Sequence, residues 1–347
     1  MRARALRLRD RRASSNVGVV DVLSDAINAF RVGRLHASVG IRRAPWGAGH
    51  DRVAGAGFHV VLSGHAWLSA DQRPPLRLGP GDVTFLARGL AHAMADDPVT
   101  AQRRAHQTLA QRRPFTEPRP AARDTVAWTG REASAAPETS VSTVLLCGGY
   151  LWDRGRSHPL LDALPEILHI PAEDRSPSLA GALDLLTAEV QAPRPGRSAA
   201  VSGLLDALLI ELIRTWTDRP RDGRAGEDRQ DGWAAALTDP GTAAALAAIH
   251  GDPARPWTLD ALAREASMSR ASFARRFHHL VGRPPMTYLT WWRMILAARS
   301  LLASDAPQAV IAREVGYSSE FAFAAAFKRC HGTAPGAYRR MRRDEIA

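Results

Sequence analysis

The chain has 347 residues, of which 45% are hydrophobic, and carries a formal net charge of +11 at pH 7. This length suffices for two domains with separate cores, and the basic excess favours a polyanionic partner such as nucleic acid. No run of eighteen apolar residues occurs, so the sequence predicts no membrane-spanning helix. The two cysteines, Cys147 and Cys330, exclude a disulfide framework and fit a reducing cytoplasm.

The first 177 residues are predicted to form a basic tail followed by a β-rich domain. Residues 1–20 are rich in arginine and lack an apolar segment, which predicts a disordered tail rather than a secretory signal. Residues 21–177 begin with a short amphipathic helix and continue with alternating apolar runs between glycine and proline turns, a pattern typical of a β-sandwich or β-barrel. The helix is expected at Val22–Phe30 and the strands at Leu35–Ile41, Gly57–Leu62, His65–Leu68, Leu76–Leu78 and Asp82–Leu86.

Residues 101–140 interrupt the strand pattern of this domain. They are rich in arginine, alanine, proline and threonine and show little hydrophobic periodicity. This composition predicts an exposed loop inserted into the β-rich domain.

A helical segment, residues 178–217, is predicted to follow. Its apolar positions recur at helical spacing along two stretches separated by a proline-rich turn. So wide an apolar face must be covered, either by the β-rich domain of the same chain or by the same helices of a second subunit. Residues 218–232 are charged and glycine-containing, which predicts a flexible linker to a final domain at 233–347.

The final domain contains one structural unit twice. The stretch Leu262–Phe273 reappears as Ile311–Phe323, and the matches continue through Phe277 and Phe327, Gly282 and Gly332, and Tyr288 and Tyr338. In each copy a short helix, a tight turn and a second helix are predicted, with Ser269 or Ser319 as the N-cap of the second helix. Two short helices joined by such a turn form a helix-turn-helix unit, and the repetition indicates that the unit is used twice.

Between the copies, residues Met286–Leu302 are predicted to form one helix. At 1.5 Å per residue such a helix is about 25 Å long. It can hold two recognition helices roughly 34 Å apart, one turn of B-DNA, on the same side of a duplex. The outward positions of the first recognition helix include Arg270, Arg275, Arg276 and His279, which disfavours a helical domain without a nucleic-acid partner.

These motifs resemble those of a known family. The segment Thr258–Arg340 resembles the DNA-binding domain of the AraC/XylS family of bacterial transcriptional regulators, through Ser269–Phe277, Val315–Lys328 and Gly332–Arg339. The resemblance implies a C-terminal, all-α domain with a tandem helix-turn-helix.

The β-rich domain also resembles part of this family. Residues Phe58–Leu68 and Leu78–His92 resemble its cupin-type sensor domain, and Leu146–Asp153 with His158–His169 resemble a subgroup that includes reactive-chlorine-sensing regulators. The implied fold class is α+β, with an N-terminal cupin-like β-barrel and a helical segment through which two copies dimerise.

The recognition helices supply the candidate DNA-binding residues. Arg270 and Arg275 are predicted to read bases, because an arginine can donate two hydrogen bonds to guanine in the major groove. Ser272 is placed at a phosphate or a base edge, whereas Arg276 and His279 are expected at the backbone or in solvent. The second helix offers fewer basic side chains, so the first unit is predicted to set most of the sequence preference. The full set is Arg270, Ala271, Ser272, Ala274, Arg275, Arg276, His279, Glu320, Phe321, Ala324, Ala325, Lys328 and Arg329.

The β-rich domain has four histidines that could form a site: His50, His59, His65 and His92. Cupin enzymes hold a metal with two histidines two residues apart, a nearby glutamate and a later histidine. Here Val61 stands two residues after His59 and no glutamate precedes His92, so no catalytic residue, metal or cofactor is predicted. His59 and His92 either form a hydrogen-bonded structural pair or bind a ligand or a metal such as zinc or copper.

The candidate ligand-binding residues of this domain are His59, His92, Trp67 and Cys147. Cys147 is interpreted first as a buried apolar residue and second as a thiol that could be oxidised to a sulfenic acid.

The sequence favours a cytoplasmic, nucleoid-associated transcription factor that is not an enzyme. It would regulate promoters in response to a small molecule or stress signal sensed by the N-terminal domain. The expected partners are double-stranded promoter DNA, a second copy of the chain, RNA polymerase and a small-molecule effector. Two alternatives remain: a metal-dependent cupin enzyme fused to a DNA-binding module, and a constitutive DNA-binding protein whose barrel only dimerises.

Overall fold

The computed structural model describes residues 21–30, 36–53, 55–71, 73–110, 142–151, 159–192, 194–218 and 232–346. The predicted tail at 1–20, residues 111–140 of the predicted insertion and residues 219–231 of the predicted linker lie outside these ranges.

Two antiparallel sheets form the β-rich domain, as predicted. One sheet has the strand order β1-β8-β3-β6-β9 and the other β2-β7-β4-β5. Each of the five predicted strand runs is a strand, and four further strands complete the sheets. The strands are β1 His36–Arg43, β2 Gly47–His50, β3 Gly55–Ser63, β4 Ala66–Ser69, β5 Leu76–Leu78, β6 Val83–Leu86, β7 His92–Ala95, β8 Ser142–Leu151 and β9 Leu168–Ile170.

The strand β8 runs between β1 and β3 and allows a close approach of its neighbours. At Gly148 an added Cβ atom would lie 2.4 Å from both the carbonyl oxygen of His36 and the ring of Phe58. Both contacts are too short for a Cβ atom, so the packing of β1 and Phe58 explains why residue 148 is a glycine. The ring of Phe58 is fully buried at this point, in the core of the β-rich domain.

The predicted insertion was wrong in its first part. Residues 101–110 are not a loop but belong to helix α2, Pro98–Ala110, which packs against β2, β7 and β4. Ala101 and Ala105, four residues apart, are the buried face of this helix. Asp97 caps it, since its carboxylate accepts hydrogen bonds from the backbone of Val99 and Thr100 at 2.9 Å. An aspartate followed by proline at the first helical position was a start signal that the arginine-rich composition obscured.

The two predicted helices of the 178–217 segment are present as α4, Pro177–Gln191, and α5, Arg197–Asp218. Their apolar side chains are covered within the single chain, and the hydroxyl of Tyr150 on β8 donates a 2.8 Å hydrogen bond to the carbonyl of Leu205 on α5. Burial of this face therefore does not require a second subunit. Leu185, on α4, is a large apolar side chain of this segment that stays exposed, at 62%.

The C-terminal domain consists of helices, and both predicted helix-turn-helix units are present. Ser269 and Ser319 are the N-caps of the recognition helices, and each of these helices ends at a glycine with left-handed backbone geometry, Gly282 and Gly332. The central helix is slightly longer than predicted, with 19 residues. The helices are α6 Trp233–Thr238, α7 Pro240–Gly251, α8 Leu259–Glu265, α9 Arg270–Val281, α10 Pro285–Ala303, α11 Gln308–Glu314, α12 Glu320–His331 and α13 Pro335–Ile346.

Two short helices connect the N-terminal part of the chain to the C-terminal domain. Helix α1, Val22–Phe30, packs against α7 and α10, and helix α3, Pro159–Ala163, packs against α6. Val22 and Ile27 of α1 are buried in this contact. Helices α1 and α3 thus contact α6, α7 and α10, and these three helices in turn pack against α9 of the first helix-turn-helix unit.

Candidate DNA-reading face and buried histidine cluster

The first recognition helix, α9, buries one face and exposes the other. Phe273, Phe277 and Leu280 are buried in the core of the first helix-turn-helix unit. The opposite face carries the predicted DNA-binding residues: Arg270, Ala271, Arg275, Arg276 and His279 are exposed, and Ser272 and Ala274 are partly buried. The helix therefore presents a basic surface on the side away from the core.

The exposed arginines of α9 differ in how they are held. Arg276 donates from Nε and Nη2 to Oδ1 of Asp239, at 3.1 and 2.8 Å. Burial alone would raise the pKa of the Asp239 carboxyl group. Hydrogen bonds from Thr242 and Arg276 outweigh this effect and lower the pKa. Since Asp239 also caps α7, the Arg276 side chain ties α9 to α7.

Arg270 and Arg275 remain available for a partner. Arg270 lies 3.6 Å from the carboxylate of Asp260, and both side chains are more than half exposed, so this ion pair is weak. No ion pair of Arg275 occurs among the residues that the structure describes. Its side chain lines a surface groove together with His278, a basic exposed residue of the last helical turn that the sequence analysis missed.

The second recognition helix, α12, exposes different chemistry. Phe321 is 89% exposed, an unusual position for an aromatic ring. The predicted residues Glu320, Ala325, Lys328 and Arg329 are also exposed, and Ala324 is partly buried. The outward face of α12 is thus apolar in its first half and basic near its end.

Inside the β-rich domain, two cross-strand pairs bring three histidines and a cysteine together. His50 on β2 is directly opposite His92 on β7, and His59 on β3 is directly opposite Cys147 on β8. The first pair belongs to one sheet and the second pair to the other. Their ring nitrogens meet across the interior, with 2.7 Å between Nε2 of His59 and Nε2 of His92.

The hydrogen bonds of this cluster define its tautomers. The Nδ1–H of His92 donates to the carbonyl oxygen of Leu90, at 2.7 Å, because a carbonyl can only accept. The Nε2 atom of His92 is then the acceptor for Nε2–H of His59, which leaves Nδ1 of His59 as an acceptor. The thiol of Cys147, 3.0 Å away, donates to that Nδ1 atom. The chain of donors runs from Cys147 through His59 and His92 to Leu90.

The cluster is uncharged at neutral pH. Burial lowers the pKa of His50 to about 4 and that of His92 to about 3, and it holds the pKa of His59 well below its usual range. Burial also raises the pKa of the Cys147 thiol to about 12. The imidazole nitrogens therefore keep their lone pairs, and Cys147 stays a thiol rather than a reactive thiolate.

A cavity of about 290 Å³ lies beside the cluster. It is lined by His50, His59, His92 and Cys147 and, further out, by His36 and Asp51. Three residues of the predicted effector site, His59, His92 and Cys147, thus come together. Trp67 does not join them, because it lies on β4 opposite Arg77 and Ala95. His50 joins them instead, through a cross-strand register that no local sequence signal shows.

An antiparallel β domain with a polar interior, followed by a tandem helix-turn-helix, defines a two-domain DNA-binding transcriptional regulator. The sequence matches the Cupin family over residues 21–218 and the Helix-turn-helix domain family over residues 262–341. An AraC-like transcription regulator of Streptomyces lividans is 33% identical over 324 residues, which cover 92% of this chain and 98% of the relative. The chain belongs to the AraC family of DNA-binding transcriptional regulators.

Two further similarities concern the C-terminal domain. The RCS-specific transcriptional activator RclR of Escherichia coli is 45% identical over 87 residues, 25% of this chain and 31% of RclR. The DNA-binding domain of AdpA, solved with a target DNA, is 33% identical and covers 31% of this chain and 96% of that domain, with a TM-score of 0.30. Among the described residues, no helix combines the length and hydropathy needed to cross a membrane.

Proposed function

We propose that this regulator controls promoters in response to a small molecule or stress signal received by its N-terminal domain. The observation that carries this proposal is the pairing of two parts: a recognition face with exposed arginines on α9, and an interior cavity lined by titratable side chains in the β-rich domain. The first part supplies affinity and sequence preference for DNA, and the second supplies a place where an effector binds.

The first recognition helix sets most of the sequence preference. Arg275 is exposed and makes no ion pair within the described part of the chain, so its guanidinium is available to donate two hydrogen bonds to guanine O6 and N7. Arg270 gives up only a weak surface ion pair when it does the same. On α12, Phe321 contacts thymine methyl groups and Lys328 and Arg329 neutralise phosphates, so this helix mainly positions the domain.

The signal reaches α9 through the contacts between the two parts of the chain. Asp25 of α1 lies 3.5 Å from Nδ1 of His250 on α7, and Nε2 of His250 is 2.8 Å from the hydroxyl of Tyr288 on α10. An effector that binds one arrangement of the β-rich domain more tightly raises the population of that arrangement. Because α1 and α3 contact α6, α7 and α10, the change reaches the helices that pack against α9. The DNA-binding domain is thereby coupled to the β-rich domain.

The same proposal includes two further partners and a location. A second copy of the chain binds along α4 and α5, where Leu185 is exposed, although the main apolar face is already covered. RNA polymerase is contacted at the promoter, and the protein acts in the bacterial cytoplasm on nucleoid DNA.

The test is genome-wide mapping of the DNA bound by the full-length protein, with and without candidate effectors, followed by titration of the recovered sites. We expect sequence-dependent binding whose affinity falls as salt rises, and an effector that changes either occupancy or transcription. Binding that is equal on all sequences would contradict specific regulation. Unchanged occupancy and transcription under every effector would favour a constitutive DNA-binding protein.

One observation supports a second candidate function, a metal-dependent enzyme fused to the DNA-binding domain. The three clustered histidines and the carboxylate of Asp51 line one cavity. Some hydrolytic enzymes hold a catalytic metal ion with side chains of these types. Turnover of a substrate by the metal-loaded protein, abolished by Asp51→Asn with the metal retained, would establish this function.

A further inference from the structure

We propose that His50, His59 and His92 bind one Zn²⁺ ion, with the sulfur of Cys147 orienting His59 from behind and the adjacent cavity open to the ion's fourth position. The three imidazoles each offer a nitrogen, and these three atoms all lie within 4.8 Å of one another. This site involves the β-rich domain alone and does not depend on the regulation proposed above.

The distances between the ring nitrogens fit a metal site in which a hydrogen bond joins two of the ligand atoms until the ion binds. With Zn–N bonds of roughly 2.0–2.1 Å in tetrahedral geometry, two ligand nitrogens are about 3.3 Å apart. The Nε2 atoms of His59 and His92 are 2.7 Å apart. The hydrogen bond between them is therefore replaced by two metal bonds after the atoms separate by roughly 0.6 Å, a movement within reach of side-chain rotation.

The outer contacts of the histidines are those that metal ligands require. A ligating histidine normally donates its second ring N–H to a carbonyl or another acceptor, which fixes the ring and makes the metal-bound nitrogen more basic. His92 already donates Nδ1–H to Leu90. His59 changes tautomer when Nε2 binds the ion: its single ring proton moves to Nδ1 and is donated to the Cys147 sulfur, with no net change in protons.

His50 distinguishes this cluster from a purely structural hydrogen-bond network. Its ring stacks on that of His92, with 4.6 Å between centroids and 9° between planes. Within the described residues no hydrogen bond to the His50 ring is found, so its role in the cluster is not to satisfy a neighbour. Stacking holds it beside the two nitrogens to which the ion would bind.

The ligand types select the metal. Neutral imidazoles suit zinc, copper and nickel, whereas calcium and magnesium require oxygen ligands. Three histidines with a fourth position open to a cavity match a zinc site that keeps one exchangeable position. The Cys147 sulfur faces Nδ1 of His59, on the side of the ring opposite Nε2, and is therefore a positioning residue rather than a ligand.

The experiment measures metal binding by the full-length protein after removal of metal with a chelator. Zinc content after dialysis and the visible absorption of the Co²⁺-substituted protein are compared for the wild type and the variants His50→Gln, His59→Gln, His92→Gln and Cys147→Ser. His65→Gln is the matched control, because His65 lies in the same domain, is partly buried, and is outside the cluster. Circular dichroism confirms that each variant is folded.

We expect about one tightly bound zinc ion per chain in the wild type and in His65→Gln, with the Co²⁺ absorption of a four-coordinate site. Each of the three histidine variants of the cluster should lose stoichiometric binding, and Cys147→Ser should keep it with an affinity reduced about 10–100-fold. Folded wild-type protein without bound metal would overturn the site, as would an equal loss in His65→Gln. A sulfur-to-cobalt charge-transfer band would overturn the outer position of Cys147.

Discussion

The two helix-turn-helix units have the same interior and different surfaces. Phe273 and Phe277 in the first unit and Phe323 and Phe327 in the second are all fully buried. Both recognition helices start at a serine N-cap and end at a left-handed glycine. The exposed positions do not correspond: Arg275 aligns with Ala325, and Arg276 aligns with Ala326, which is buried. Fold and DNA reading are thus encoded by separate faces of the same helix.

The units also differ in what surrounds them. The first unit is supported by α6 and by α7, which contacts α1, whereas the second packs on α10 and α13. The first unit is therefore both the more basic reader and the one connected to the N-terminal part of the chain. Under the proposed function, a signal from the β-rich domain would reach the helix to which we assign most of the sequence preference.

The largest effect is expected from the shared interior. Phe277→Ala and Phe327→Ala each remove a fully buried ring, which should lower the free energy of unfolding by about 3–5 kcal/mol. Urea denaturation of the full-length protein measures both losses. Phe321→Ala is the control, because its ring is exposed and its removal should change stability by less than about 0.5 kcal/mol. A loss confined to one unit would show that the two cores are not equivalent.

The second-largest effect is expected on DNA binding, from substitutions on the exposed faces of the two recognition helices. Arg275→Ala should weaken binding to the cognate site by about 1–3 kcal/mol and relax the preference at one base pair. Lys328→Ala, on the second helix, should weaken binding to all sequences alike and reduce the salt dependence by about one counterion. Fluorescence anisotropy with cognate and scrambled duplexes measures both. An equal loss for Arg275→Ala on every sequence would make Arg275 a phosphate contact.

The helix-turn-helix units could be predicted from the sequence because the interactions that define them are local. Serine caps act three residues away, and apolar side chains three and four residues apart share a helix face. The outward positions of α9 followed directly from this periodicity. What the periodicity could not show is that Arg276 is bound to Asp239, which lies 37 residues earlier in the chain.

The histidine cluster could be predicted only in part, because its members are far apart in the sequence. His59 and Cys147 are 88 residues apart, and they meet only because β8 pairs with β3 in one particular register. A shift of one residue would turn either side chain to the other face of the sheet. The sequence pointed to His59, His92 and Cys147, but it could not choose between His50, which joins them, and Trp67, which does not.

A smaller effect is expected from pH, through the contact between α1 and α7. Burial lowers the pKa of His250 below that of an unfolded histidine, although Asp25 acts in the opposite direction. The unfolded chain then binds the proton more readily, so this stabilisation is complete above the unfolded pKa of about 6.5 and is lost as pH falls below it. Between pH 7 and 5.5 His250 should therefore lower the free energy of unfolding, by at most about 1 kcal/mol, the limit that the unfolded pKa sets.

Urea denaturation at both pH values, in the wild type and in His250→Gln, measures this contribution. His278→Gln is the control, since that side chain is exposed on α9. The pKa values of the cluster histidines are also lowered, so these side chains contribute to the pH dependence with the same sign. The variant His92→Gln measures their contribution. An unchanged pH dependence in His250→Gln would place the whole effect in the β-rich domain.

The smallest effect concerns Arg276, where the two units differ most in structure. Its guanidinium is held by Asp239, and the aligned residue Ala326 is buried and makes no comparable tie. Arg276→Ala should therefore change DNA affinity by less than about 0.5 kcal/mol and lower stability by about 0.5–1 kcal/mol, as a partly exposed ion pair does. Anisotropy and urea denaturation on the same variant measure the two quantities, with Arg275→Ala showing the reverse pattern. A large loss of affinity at unchanged stability would mean that Arg276 leaves Asp239 to contact DNA, and that both arginines of α9 read the duplex.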